Sequence, residues 1–208
     1  MKFYILITAG RGPAECAVVV EKVHQMILNR IDEYKLGNLR IIDYNEHDSG
    51  RGLMSVTSEV TCLDKRYFEM LKNEWEGTIK WVCTKNTIRP NHKRKNWFIG
   101  VSFYEVPEPI EIRDIDIRFQ SMRSSGPGGQ NVNKVESAVR ATHIPTGISV
   151  VVQTSRDQSM NRKIAYRHLI DRLSLMEKYK TDVLNADMWN EHTALQRGGQ
   201  VKTFKGEL

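Results

Sequence analysis

RSSGPGGQNVNKVESAVRATHIPTG, residues 123–147, places Gly126, Pro127, Gly128 and Gly129 directly before Gln130. The segments on either side decide what kind of unit carries this loop. Upstream, Ile115, Ile117 and Phe119 alternate with polar residues, the period of a half-buried strand. Downstream, residues 139–144 and 148–153 form a hairpin over IPTG, where Pro145 presets φ and Gly147 ends the turn. Ser159 then opens a long helix. Met160, Ile164, Leu169, Leu173 and Met176 keep one side of it apolar, with Arg162, Lys163 and Arg167 on other faces. Strand, glycine loop, hairpin and helix make an α+β unit.

The loop itself suggests chemistry without a titrating group. Successive glycines let a backbone adopt conformations closed to other residues and approach a ligand with no Cβ in the way. In GPGGQ the Gln130 N–H can therefore be aimed at a reacting oxygen. An ester under attack by water gathers negative charge on its oxygens, and a preorganised donor there is worth roughly 3–4 kcal/mol. The Gln130 amide, both donor and acceptor, can order the water or select it by size. The chain has no Gly-x-Ser-x-Gly elbow, and His143 reads as a structural hairpin residue. A second Gly-Gly-Gln, at Gly198, Gly199 and Gln200, lacks the surrounding motif. There Gly198 caps a short helix over residues 189–195, and Gln200 is incidental.

Upstream, residues 3–8 form a strand that AGRGPAE turns into a helix. Pro13 suits the first helical position and Glu15 the positive helix end. Cys16, Val20, Val23, Ile27 and Ile31 lie on one face. Gly10 and Gly12 read as a tight turn rather than a nucleotide loop, because no Gly-Lys-Ser/Thr follows. Residues 39–44 form a strand. In the next one Met54, Val56, Val60 and Cys62 alternate with polar residues. Asp64 caps a helix carrying Phe68, Leu71 and Trp75, and strands at 79–83 and 97–104 bracket the basic loop TKNTIRPNHKRKN. The result is a sheet covered by two helices.

Composition points to a polyanionic partner. The net charge of +6 is concentrated in two blocks. Residues 77–104 hold six cations and no acid; residues 117–170 hold eight cations and two acids. The acidic, proline-bearing joint EVPEPIEIRDID lies between them. Cys16, Cys62 and Cys83 are odd in number and widely spaced, so reduced core cysteines of a cytoplasmic protein are expected, not disulfides. The six histidines show no ligand spacing, and neither metal nor cofactor is expected. The opening MKFYILITAGR reads as a buried strand rather than a signal peptide, and no membrane association is expected.

Residues 123–147 closely resemble the peptidyl-tRNA hydrolysis domain of class-I peptide chain release factors. The likeness extends more weakly through ITAGRGPAEC, GTIKWV and VPE. It implies that Gly128, Gly129 and Gln130 form the catalytic loop, and that Gln130 is the target of a glutamine methyltransferase. It also implies rRNA contacts at Arg123, Lys134 and Arg140, and Arg156, Arg162, Lys163 and Arg167 of the same basic block are expected to bind RNA as well. The family's N-terminal helical domain is not expected here, and the slot of its codon-reading tripeptide, Ser-Pro-Phe or Pro-x-Thr, falls near Lys85, Asn86 and Thr87, which match neither. In these respects the chain looks like the short release-factor homologues.

The expected architecture is therefore α+β with two sandwich-like domains. Residues 1–112 face the decoding centre, 113–185 form the hydrolysis domain, and 186–208 are a C-terminal tail. A monomer would bind the ribosomal A site, with Lys85, Arg89, Lys93, Arg94 and Lys95 at the small-subunit decoding centre. The loop would reach the large-subunit peptidyl-transferase centre and promote hydrolysis of peptidyl-tRNA. Lack of a codon tripeptide implies rescue of stalled or decoding-centre-damaged ribosomes. Stop-codon-dependent termination and a non-catalytic rRNA-binding role remain as alternatives. A small hydrolase that probes the mRNA channel with a basic tail is disfavoured, because residues 186–208 carry only Arg197, Lys202 and Lys205 as cations.

Overall fold

Phe3, Ile5 and Ile7 alternate inward along an interior strand, as the sequence period requires. The computed structural model describes residues 1–62, 64–124, 136–193 and 199–208, without the side chains of 191–193. In chain order the elements are β1 (Lys2–Thr8), α1 (Ala14–Glu33), β2 (Leu39–Glu46), β3 (Leu53–Thr61), α2 (Lys65–Trp75), β4 (Gly77–Cys83) and β5 (Asn96–Glu105). A 3-10 turn (Asp114–Asp116) precedes β6 (Ile117–Met122), β7 (Ala138–His143), β8 (Ser149–Val152), α3 (Gln158–Thr193) and β9 (Lys202–Gly206). Contacts divide the chain into Met1–Glu108 with Asp182–Leu208, and Pro109–Thr181.

The first unit holds a sheet in the order β2-β3-β1-β5-β4-β9. Every pairing is antiparallel except β4 with β9. Cys16, Val20, Val23, Ile27 and Ile31 of α1 join Phe68, Leu71 and Trp75 of α2 in one core with the strands. Asp64 caps α2 by accepting from the Arg66 N–H at 2.9 Å. Gly10 takes φ +57, and a Cβ on Gly12 would meet the Ala9 carbonyl at 2.8 Å, so the strand-to-helix turn needs both glycines. Ser55 and Thr57 of β3, expected on a solvated face, are buried as well.

The segment expected as a tail behaves differently. Lys202, Phe204, Gly206 and Leu208 alternate as the more buried residues of 202–208, and this places a strand beside β4. Phe204 stacks on Trp75 and tilts against Trp81. A Cβ on Gly206 would lie 2.7 Å from the Trp81 ring, so glycine lets the backbone pass the indole. Lys202 completes the attachment through Glu74 at 2.8 Å and the Trp75 ring face at 3.8 Å.

In the second unit β6-β7-β8 form an antiparallel sheet. Ile117, Val139, Ala141 and Val152 pack against Ala165, Leu169 and Leu173 of α3. Three details differ from the sequence reading. Ile115 is 84% exposed, because the chain makes a 3-10 turn before β6. Asp157, not Ser159, accepts the Ser159 N–H at the helix start. The buried helix stripe is Asn161, Ala165, Leu169 and Leu173, while Met160 and Met176 are exposed. Small Ala165 lets the helix approach the sheet closely, and polar Asn161 falls outside any apolar period. The short helix expected over 189–195 is instead the continuation of α3 to Thr193, and Gly198 lies outside the described residues.

Candidate functional site

The β6–β7 register ends at Met122 opposite Ala138, so the hairpin end carries the glycine motif. Gly128, Gly129, Gln130 and Lys134 lie outside the described residues. The two stems beside them are described. The Ser124 and Ser137 hydroxyls are 3.0 Å apart, closing the hairpin end across its strands. Gln158 donates to the Glu136 carbonyl at 2.9 Å. Asn161, fully buried, donates to the carbonyls of Ser137 and Ser155 and accepts from the Ser155 N–H, each at 2.8 Å. A buried amide with its donors and acceptor so engaged rigidifies what it holds. Asn161 therefore ties the start of α3 to the C-terminal stem of the motif. The sequence signal for it is a polar residue four positions before an apolar Ala-Leu-Leu stripe.

The cations assigned to this unit stand largely free. Arg123, Arg140, Arg156, Arg162, Lys163 and Arg167 are exposed, and among the described residues none of them forms an ion pair. Arg162 lies 4.3 Å over the Phe119 ring, which orients its guanidinium without neutralising it. His143 is buried and its Nδ1 is 2.9 Å from the Thr146 hydroxyl, the structural role expected of it.

The basic loop of the first unit is organised from within. Glu15 is fully buried and forms a two-pronged ion pair with Arg89, both prongs at 2.6 Å. Asn86 donates to the same carboxylate at 3.0 Å. Burial is the largest influence and opposes the charge, but hydrogen bonds from Arg89 and Asn86 hold the Glu15 carboxyl below its ordinary value. The Asn86 side-chain carbonyl accepts the N–H groups of Ile88 and Arg89. The Thr87 N–H and hydroxyl both donate to the Leu208 carbonyl, and the Leu208 N–H donates to the Lys85 carbonyl. Arg89, expected as an RNA contact, is thus engaged by Glu15. The reason lies in distant sequence: local sequence marks Glu15 as a helix-end charge, yet its carboxylate needs a cation once buried.

Arg94 lies 4.7 Å over the Trp97 ring and donates to the Asn96 carbonyl. Lys85, Lys93 and Lys95 are exposed without ion pairs among the described residues. Lys85, Arg94 and Lys95 line an open cleft of about 490 Å³ with Asn86, Thr87, Pro90 and His92. Among the described residues no group of three or more His, Cys, Asp or Glu could hold a metal ion, and no helix is long and apolar enough to cross a membrane. All three cysteines are buried, and none is in a disulfide.

Comparison with known proteins adds four findings. Residues 105–204 match the RF-1 domain family. The chain is 34% identical over 200 residues to a peptide chain release factor homolog of Escherichia coli, covering 96% of this chain and 95% of that one. It is 31% identical over 206 residues to peptide chain release factor 2 of Phenylobacterium zucineum, covering 97% of this chain but 54% of the relative. The solved RF2 of Thermus thermophilus aligns at 27% identity and a TM-score of 0.47, over 98% of this chain and 57% of that one. The chain thus spans about half of the two release factors 2 and nearly all of the shorter homologue.

Proposed function

Because the chain belongs to the class-I peptide chain release factor family, among its short homologues, we propose that it promotes peptidyl-tRNA hydrolysis in the ribosomal A site without reading a codon. The Gln130 N–H would stabilise the oxyanion formed as water attacks the ester, and the Gln130 amide would order that water. Gly128 and Gly129 would give the backbone its freedom, and methylation of Gln130 by a glutamine methyltransferase would tune the fit. The peptidyl-transferase centre supplies the rest of the site. The protein would act as a cytoplasmic monomer whose free second-unit cations contact rRNA.

The observation that carries codon independence is the loop at 84–89. Base discrimination needs positioned donors and acceptors that are left unpaired by the wrong base. Here Asn86, Thr87 and Arg89 direct those groups inward, to the loop backbone, Leu208 and Glu15. The exposed remainder, Lys85, Lys93 and Lys95, offers phosphate contacts that supply affinity without sequence information. Rescue of stalled or decoding-centre-damaged ribosomes fits this division.

Single-turnover peptide release on complexes that differ only in the A-site codon tests the proposal. The series is repeated with the decoding-centre RNA cut and with the mRNA truncated. Release should vary little among stop and sense codons and respond to the state of the RNA. Strong stop-codon preference on intact ribosomes would instead establish a termination factor. Absence of release on every complex would leave an rRNA-binding role.

A further inference from the structure

The three-stranded sheet of the second unit has one face in the core and one open. Ile117, Val139, Ala141 and Val152 meet α3. The other face presents Arg118 and Gln120 from β6, Arg140 and Thr142 from β7, and Ser149 from β8. With Ile144 these line an open cleft of about 390 Å³. Gln120 pairs with Arg140 and Arg118 with Thr142, so the two arginines are diagonal neighbours on one face. Such positions lie roughly 7–8 Å apart, within reach of long side chains.

Like the other free cations of this unit these two arginines have no ion pair, but the sheet register sets them side by side on one open face. The ion pair described in this unit joins Arg113 to Asp116, and no carboxylate answers Arg118 or Arg140 among the described residues. Two neighbouring guanidiniums without a counter-charge repel each other, a liability in the free protein that an anion between them removes. Phosphate matches the planar guanidinium fork. Gln120 and Thr142 add groups that accept as well as donate, which a phosphate does not need but a ribose 2′-hydroxyl can use. Ile144, 52% exposed, and Val151, 48% exposed, give the same face apolar area for the sugar.

The geometry points to this open sheet face as a binding site for RNA backbone, with a phosphate between Arg118 and Arg140 and a ribose hydroxyl at Gln120 and Thr142. The assignment deepens the proposed function by naming a contact for its RNA partner. Its test measures RNA affinity and not peptide release, so either can fail without the other.

Full-length protein is titrated with a short RNA duplex and with the DNA duplex of the same sequence over a range of salt. Arg118→Gln with Arg140→Gln should weaken RNA binding about tenfold or more and flatten the plot of log affinity against log salt by roughly 1–2, one released counterion per contact. The charge-matched control, Arg51→Gln with Lys178→Gln, should keep the wild-type slope. Gln120→Leu with Thr142→Val should narrow the preference for RNA over DNA and leave the slope alone. Relief of repulsion should let the double arginine variant melt at or above the wild-type temperature. Affinity and slope equal to the control would overturn the site. A lowered melting temperature would make the arginines structural and would overturn it too, while equal binding of DNA would overturn the ribose contact.

Discussion

The two units use positive charge in opposite ways. In the first, Arg30 pairs with Glu33 and Glu74, Arg40 and Lys2 with Glu59, Arg66 with Asp64, Arg89 with Glu15 and Lys202 with Glu74. In the second, Arg113–Asp116 is the ion pair among the described residues, and the other arginines face solvent or an aromatic ring. A count of charges along the chain shows two basic blocks of similar kind. Their chemistry is not similar. Charge in the first unit mainly shapes the protein, including the loop at 84–89. Charge in the second is left available to a polyanion.

The sharpest test of this division concerns catalysis. If the hydrolytic contribution belongs to the loop of the second unit, Gln130→Pro removes the N–H and should slow single-turnover release by about 10²–10³, roughly 3–4 kcal/mol. Ribosome affinity should stay near wild type, since no cation is lost. Gln130→Ala keeps the N–H and should be milder, with less selectivity for water over larger nucleophiles. A proline variant that releases peptide at the wild-type rate would remove the loop from the mechanism.

A smaller effect is expected on stability, and here the units should diverge. Glu15→Ala leaves Asn86 and Arg89 without their acceptor. Arg89 is 44% exposed and can be rehydrated, so the loss should be about 1–3 kcal/mol in urea unfolding rather than that of a wholly buried pair. Arg140→Ala sits on an exposed strand position and should change stability by no more than about 0.5 kcal/mol. Equal losses would erase the contrast between structural and available charge.

Acid should act on the first unit before it acts on the second. Around Glu74, burial opposes the charge, but hydrogen bonds from Arg30 and Lys202 outweigh it and hold the carboxyl at about 2. Between the ordinary 4.5 and about 2 the folded protein binds fewer protons than the unfolded chain. The stability Glu74 contributes is therefore complete above 4.5 and is lost as pH falls toward 2. His24, held below 6.5 by burial, adds a loss in the same direction from a higher starting pH. Trp75, Trp81 and Trp97 are buried in the core of the first unit, so the change in their fluorescence follows its unfolding, while Trp189 is exposed. Glu74→Gln should lower stability at neutral pH and flatten the acid limb between 4.5 and 2. An unchanged limb would mean that the ion pairs around Glu74 contribute nothing.

Strongly periodic elements are legible in the sequence, and those made by distant partners are hidden from it. The helix carrying Cys16, Val20, Val23, Ile27 and Ile31 and the hairpin over IPTG can be read because local spacing and turn chemistry specify them. β9 cannot, because VKTFKGEL has one aromatic among charges. Its strand character appears only when Phe204 meets Trp75 and Trp81. Arg89 looks available in the sequence because its partner lies 74 positions away. Asn161 looks like an interruption of the apolar stripe, although its buried hydrogen bonds hold the stem of the motif. In the candidate site, residue types are legible from the motif, while the division between engaged and free cations requires tertiary structure.

The least effect is expected where the two copies of Gly-Gly-Gln are compared directly. Gly199 belongs to the first unit and has φ +63, so an alanine there takes a left-handed conformation that costs about 1–2 kcal/mol. Nothing lies within 4 Å of the Cβ that alanine would add, so strain is the whole penalty and no neighbour has to move. The residue immediately precedes the run into β9, and its strain can be relieved locally before Lys202 enters the sheet. Gly199→Ala should therefore lower the unfolding midpoint slightly and leave single-turnover release at the wild-type rate. Gly129→Ala, in the copy surrounded by the full motif, should be severe if that position needs positive φ. Matching losses of release at the two glycines would break the assignment of catalysis to the second unit, because an open position in the first unit would then matter as much as the motif.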